Sequence, residues 1–169
     1  MFGCVGAGGT VKNVTIADSY VSGKVNVGGI CGLNNGGTVE NCTSGCTVKG
    51  TGNAVGGICG SNQRGDHVGR VLNCHNTGKV SGKNRIGGVC GGGDDSTNCY
   101  YLDTSAETSK GGTAKTAAEF KSDYVAYLLQ QALNDAAPAQ LPRRFGGSVS
   151  AQTTTLCLAA MLLTRFTNL

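Results

Sequence analysis

The chain has 169 residues, of which 29 are glycine and none is tryptophan, and aromatic residues make up 5% of it. This composition argues against a core of large side chains, and the length allows one domain or one repeat array with an appendage. The net charge of +4 is too small and too dispersed to indicate nucleic-acid binding. The longest apolar run, residues 156–163, is too short to span a membrane, and residues 1–6 show no secretory signal.

Two sequence blocks recur along the first hundred residues. The block Gly-x-Val-x-Asn-Val/Cys occurs at residues 9–14, 37–42 and 69–74, with a remnant at residues 96–99. The block Val/Ile-Gly-Gly-Ile/Val-Cys-Gly occurs at residues 27–32, 55–60 and 86–91. A third short run rich in valine lies between the two blocks of every unit. This regular recurrence indicates a repeat architecture.

The three runs of each unit predict three short strands, because they are β-branched and bounded by Gly, Asn or Ser. If each unit coils once around an axis, every strand pairs in parallel with the same strand of the next unit, about 4.8 Å away. The narrow interior of such a coil accommodates Val, Ile, Cys and Gly. We therefore predict an all-β fold, a right-handed parallel β-helix or β-solenoid, over residues 1–100 with three short strands per rung.

Stacking of the units would place six cysteines in two ladders. One ladder contains Cys42, Cys74 and Cys99, and the other contains Cys31, Cys59 and Cys90. The first unit carries Val14 at one of these positions, which indicates a site for a small apolar side chain. No Cys-x-x-Cys pair is present, so the spacing does not support a zinc site. We expect buried free thiols; cross-rung disulfides and a metal site are the alternatives.

The asparagine of the first block recurs in every unit, at Asn13, Asn41, Asn73 and Asn98. Asparagine is favoured in tight turns, and stacked amides bond one another along a column of parallel strands. We expect these residues to form a ladder at a turn, each amide bonding its neighbour or the turn backbone. Ligand binding is the alternative.

Groups that could carry out catalysis are scarce. The acidic residues of the array occupy non-equivalent repeat positions, at Asp18, Glu40, Asp66, Asp94 and Asp95. A β-helix lyase or hydrolase would need clustered acids. Neither His67 nor His75 belongs to a Ser/His/Asp or His-Glu-x-x-His pattern. We predict a non-enzyme without catalytic, cofactor or metal sites.

The repeated blocks resemble GLUG repeats, a glycine-rich motif of large bacterial surface proteins. Some immunoglobulin-A-cleaving metallopeptidases contain this motif outside their catalytic part. The resemblance covers residues 2–99, and residues 99–134 resemble the region that often follows such arrays. It implies a cell-surface or secreted bacterial parent and implies no chemistry.

Residues 101–140 are predicted to form a linker and a helical cap. Thr116 and Glu119 have the spacing of a capping box, and apolar residues follow at helical intervals. Open solenoid ends expose strand edges, and a terminal element often covers one of them. We therefore expect residues 116–134 to cap the array; the alternative is a free helix bound by something else.

Residues 141–169 differ from the rest, since they have no acidic residue and no repeat. Residues 145–157 can be encoded so that a shifted reading frame gives W-G-Q-R-F-G-T-D-D-Y-P-V-L. That string resembles the segment which commonly closes this kind of region. We hypothesise that the tail is out of frame or disordered.

Two functions remain open. The first is a non-catalytic structural or interaction module, stalk-like or adhesin-like, that binds an extracellular protein or glycan. The second is an accessory fragment of an extracellular enzyme, such as an immunoglobulin-A-cleaving metallopeptidase or a carbohydrate-active β-helix protein. In either case we expect an extracellular or cell-surface location, no nucleic-acid partner, and self-association through the open N-terminal end of the solenoid.

Overall fold

The computed structural model describes residues 1–64, 66–93, 95–107 and 111–136. Within these ranges the chain forms 21 short strands and two helices. The hypothesis of an out-of-frame tail at residues 141–169 lies outside the described residues, as do Cys157 and Asp94.

Nineteen strands belong to five parallel sheets, numbered in the order in which a rung passes through them. The first sheet contains β2 (Thr10–Lys12), β7 (Thr38–Glu40), β14 (Arg70–Leu72) and β19 (Ser96–Thr97). The second contains β3 (Thr15–Ile16), β8 (Thr43–Ser44), β15 (His75–Asn76), β20 (Tyr100–Leu102) and β21 (Thr113–Lys115). The third contains β4 (Tyr20–Gly23), β9 (Thr47–Gly50) and β16 (Val80–Ser81). The fourth contains β5 (Val27–Gly28), β10 (Asn53–Gly56) and β17 (Asn84–Gly87), and the fifth contains β1 (Phe2–Gly6), β6 (Cys31–Asn35), β11 (Cys59–Ser61) and β18 (Cys90–Gly92).

The predicted parallel β-solenoid is confirmed, with about three turns. A rung contains five strands where three were expected, because two of the three predicted runs bend in the middle. The first run bends at the repeated asparagine, whose backbone is left-handed, with φ of 57° at Asn13, 53° at Asn41 and 50° at Asn73. Asparagine tolerates this conformation better than most residues do. The second run bends at its Gly-Gly pair.

Valine, isoleucine and cysteine fill the interior. Equivalent residues lie above one another in register, as Val11, Val39 and Val71 do in the first sheet. Ile30 and Ile58 are fully buried. A second cluster lies around the valines of the third and fourth sheets. Full burial of such a side chain stabilises the fold by roughly 1.5–3 kcal/mol, so the core gains its stability from many medium-sized side chains.

The second glycine of each Gly-Gly pair packs against the opposite wall of the interior. A Cβ atom at Gly29 would overlap Ser44, and one at Gly57 would overlap Asn76. The same glycine of the third rung faces an aromatic ring in the same way. These glycines are therefore required because there is no space for a side chain.

One insertion interrupts the repeat. An antiparallel hairpin of β12 (Gln63–Arg64) and β13 (His67–Val68) follows the fifth-sheet strand of the second full rung. Its backbone returns to the solenoid through a hydrogen bond from Gly69 N to Asn62 O, 3.0 Å long. The length variation between the repeats is thus accommodated outside the stacked strands.

At the C-terminal end of the array, residues 103–107 and 111–115 pair with the edges of the second and third sheets. Strand β21 adds to the second sheet beside β20, and the Val80 amide donates to the Ser105 carbonyl at 2.7 Å. The helices follow as α1 (Ala117–Lys121) and α2 (Tyr124–Ala136). The helices lie where the sequence predicted them. The pairing with the last rung is made by Ser105 and β21, which precede the helices.

The N-terminal edge has no such cover among the described residues. Strand β1 pairs with β6 on one side, and β2 to β5 are likewise the outermost strands of their sheets. The side chains of Phe2 and Tyr20 on this rung are exposed. Self-association through this edge stays a prediction.

Candidate functional site

The first group of sequence-derived site residues is the cysteine column of the fifth sheet. Cys59 pairs in register with Cys31 on one side and with Cys90 on the other, and all three are fully buried. The Cys31 thiol donates to the Leu33 carbonyl at 3.1 Å. The hydrogen bond with the Cys59 thiol, together with burial, raises the pKa of the Cys31 thiol far above its ordinary value. The Cys31 thiol therefore stays protonated and is a poor nucleophile.

The second cysteine column follows the repeated asparagines. The thiol of Cys42 donates to the Glu40 carbonyl at 3.1 Å, and that of Cys74 donates to the Leu72 carbonyl at 3.1 Å. The Cys42 amide donates to the Cys74 sulfur at 3.4 Å. Hydrogen bonds with the thiols of the neighbouring rungs, followed by burial, raise the pKa of Cys74. Cys99 continues the column and is 3% exposed.

All eight cysteines in the described part of the chain are free. Cys46 is buried outside both columns, in the cluster around Val48, and Cys4 is exposed. Thiols of both columns bond carbonyls two residues away in their own rung. Among the described residues, no three His, Cys, Asp or Glu side chains are placed to hold a metal ion. The column thiols are thus buried and hydrogen-bonded within the array.

The repeated asparagines lie in equivalent turns. Asn98 shares the left-handed backbone of the other three, with φ of 51°. The Asn41 side-chain amide donates to the Asn13 side-chain oxygen at 3.3 Å, and the Asn41 backbone amide donates to the Leu72 carbonyl at 3.0 Å. The side-chain oxygen of Asn41 is buried without a partner. The main role visible at these positions is to turn the backbone.

Sequence reasoning missed a second, fully buried asparagine pair. Asn34 Nδ2 donates to Asn62 Oδ1 at 2.9 Å and to the Arg70 carbonyl at 3.2 Å. Asn62 Nδ2 donates to the Gly69 carbonyl at 2.7 Å and to the Asp95 carbonyl at 2.9 Å. Both side chains are fully buried. The pair therefore links three successive corners of the solenoid.

A signal for this pair exists in the sequence. Cys-Gly-x-Asn occurs at residues 31–34 and 59–62, directly after the Gly-Gly pair. The third rung has Gly93 there, with φ of 81°. The motif was concealed because only two of the three units carry it.

The two histidines considered for catalysis lie in different elements of the fold, His67 in β13 and His75 in β15. The ring of His75 lies 6.0 Å from the ring of Phe120, between centroids, and burial lowers the pKa of the imidazole. Its Nδ1 lies 3.5 Å from the Thr43 hydroxyl. His67 lies on the inserted hairpin, and its side chain is exposed.

Two open clefts flank the C-terminal segment. One, of about 390 Å³, lies between α2 and β20 and is lined by Tyr100 and Leu128 among others. The other, of about 370 Å³, lies beside Lys79, Ile86 and Ser105. The lining of the second cleft also includes Asp103 and Glu107. No helix in the described ranges is long and apolar enough to cross a membrane.

Comparison with known proteins agrees with the repeat pattern. The family described as the GLUG motif matches residues 51–81, which confirms the predicted resemblance in the second full unit. The fold is similar to the crystal structure of a candidate immunoglobulin A1 protease from Bacteroides ovatus, with a TM-score of 0.55 and 23% identity. The similarity covers 74% of this chain and 57% of that one. No curated protein matches the chain.

Proposed function

We propose that this chain is a non-catalytic structural and interaction module of a bacterial cell-surface or secreted protein. One observation carries the proposal: equivalent residues stay in register from rung to rung, as in the column of Cys31, Cys59 and Cys90. The buried amides of Asn34 and Asn62 likewise bond within the array. Residues used in this way hold a framework together and present no reactive group.

The outer surface is where such a module would act. Strand residues of the first and third sheets alternate between the interior and the solvent, so these sheets offer columns of outward-facing side chains at a spacing of about 4.8 Å. Stacked repeats also form extended, stiff surfaces whose insertions project to one side. A spacer or adhesive role uses both properties.

A second candidate is an accessory part of an extracellular enzyme. The observation that favours it is the similarity of the fold to a candidate immunoglobulin A1 protease. The chain spans 57% of that protein, so a catalytic part could lie in sequence that this chain does not contain. Under this alternative the array would still position a substrate and leave its cleavage to another segment.

Incubation with immunoglobulin A1 tests the absence of catalysis. The complete chain should yield no new fragments by mass spectrometry over many hours, with or without added zinc. Fragments that accumulate with time and disappear with a chelator would overturn the proposal. A heat-denatured sample of the same chain serves as the unfolded control for both outcomes.

Antibody labelling tests the location. Antibodies raised against the chain should label intact cells of the parent bacterium or detect the protein in the medium. Labelling that requires lysis of the cells would contradict a surface or secreted location.

A further inference from the structure

Lysines are concentrated on one face of the solenoid. Residues 1–107 contain five lysines. Four of them lie in or directly beside the strands of the third sheet and at the corner after it: Lys24, Lys49, Lys79 and Lys83. We call this group the lysine face. The fifth, Lys12, is in the first sheet.

The register explains why these side chains share a face. Val21, Val48 and Val80 pair with one another and are buried, so the residues on either side of each valine point outward. Lys49 pairs with a serine of the rung before and with a serine of the rung after. All four lysines are exposed.

The lysines do not lie directly above one another. In the neighbouring rungs, serines stand at the position of Lys49, and Tyr20 stands at the position of Thr47. Lysines at the same corner, Lys24 and Lys83, are two rungs apart, or roughly 10 Å at the usual strand spacing. This stagger keeps mutual repulsion low while the positive charge continues along the axis.

These ammonium groups are available to a partner. The ion pair in the described part of the chain lies in the C-terminal segment, away from this face. The nearest carboxylates by position are Asp18, before β4, and Asp103 and Glu107, which line the cleft beside Lys79 over the last rung. They border the two ends of the lysine face, so its middle is cationic.

The chemistry of the face fits an acidic polysaccharide. Ammonium groups pair with carboxylate or sulfate groups, and the hydroxyls of Ser22, Thr47 and Ser81 can bond sugar hydroxyls. Tyr20, which is 64% exposed, offers a ring on which a sugar can stack. A nucleic acid would favour more arginines and aromatic rings for its bases, and a lipid surface would favour more apolar residues than Val25.

We propose that the lysine face binds a linear acidic polysaccharide that runs along the solenoid axis. This inference deepens the proposed interaction role and rests on it. The staggered charges would contact several sugar units at once, so binding should be multivalent and strongly dependent on salt.

Binding of the complete chain to polygalacturonate and to chondroitin sulfate, with neutral dextran as the reference, tests the proposal. The double variant Lys49→Glu/Lys83→Glu should bind about tenfold more weakly at roughly 50 mM salt, because two contacts become repulsive. The matched control Lys12→Glu/Lys121→Glu has the same net charge and should change binding by less than about twofold. Circular dichroism verifies that both variants fold.

Equal losses in the two double variants, or no binding to either acidic polysaccharide, would overturn the proposal. Tighter binding to single-stranded DNA or to phosphatidylserine vesicles would also overturn it, since the face would then serve another class of partner. A reducing-end assay separates the two hypotheses. If the chain binds the polysaccharide and also shortens it, the lysine-face proposal is supported and the non-catalytic function is refuted. If the chain neither binds nor shortens the polysaccharide, only the lysine-face proposal is refuted.

Discussion

The solenoid, within residues 1–102, and the C-terminal segment, residues 103–107 and 111–136, are stabilised in different ways. In the solenoid each environment occurs three or four times, so one residue choice is repeated and its neighbours in adjacent rungs are copies of itself. In the C-terminal segment each environment occurs once, and stability comes from local features such as the Thr116 cap. Substitutions should therefore act globally in the first region and locally in the second.

The largest expected effect comes from a glycine inside the solenoid. Gly57→Ala places a Cβ against the Asn76 side chain and the Gly88 carbonyl, and the loss in unfolding free energy should be about 3 kcal/mol or more. The matched control is Gly45→Ala, where the nearest atom is 3.6 Å from the new Cβ. Denaturant titrations of both variants give the comparison. Similar midpoints would show that the interior is loosely packed at the Gly-Gly pair.

The buried amide pair should give the next largest effect. Asn62→Ala removes hydrogen bonds to the Gly69 and Asp95 carbonyls and to Asn34, which leaves buried groups unpaired. We expect a loss of about 2–3 kcal/mol. The exposed Asn84→Ala should change the unfolding free energy by less than about 0.5 kcal/mol. A small change at Asn62 would mean that water replaces these bonds.

Much of the difference between the solenoid and the C-terminal segment could be predicted from the sequence. The features that sequence analysis missed were missed for physical reasons. Repetition identified the parallel stacking and the columns of Cys42 and Cys31, because a residue copied in each unit must fit the same site. The bends at Asn13 and at the Gly-Gly pairs were not counted as strand boundaries, since propensity does not distinguish a bent strand from two. Asn34 and Asn62 were missed because buried amides are unusual, and the lysine face became visible only from the register.

The C-terminal segment should respond only locally. Thr116→Ala removes the side chain that accepts from the Glu119 amide, and loss of such a cap costs about 1 kcal/mol of helix stability. Hydrogen exchange should become faster in α1 while the amides of β7 and β14 keep their protection. Faster exchange throughout the array would show that the helices and rungs unfold as one unit.

The smallest effect concerns pH. Hydrogen bonds from Thr116 and the ion pair with Lys115 lower the pKa of Glu119 below its usual value. Its contribution to the cap is therefore complete above the ordinary glutamate pKa and is lost as pH falls through the lowered value. The protection factors of the α1 amides, that is, the exchange rates corrected for the intrinsic rate at each pH, should fall in that acidic range, and Glu119→Gln should remove the dependence. If the pH dependence of α1 is unchanged in the Glu119→Gln variant, another titratable group causes it.

Thiol titration with Ellman's reagent, without reductant, tests the stacked array most directly. The described residues include seven buried free cysteines and the exposed Cys4. We predict that the buried seven react only after denaturant is added, in one sharp rise that coincides with unfolding. Six or more reactive thiols in the native protein would contradict the stacked columns, and an increase of fewer than seven reactive thiols on unfolding would show cross-rung disulfides instead.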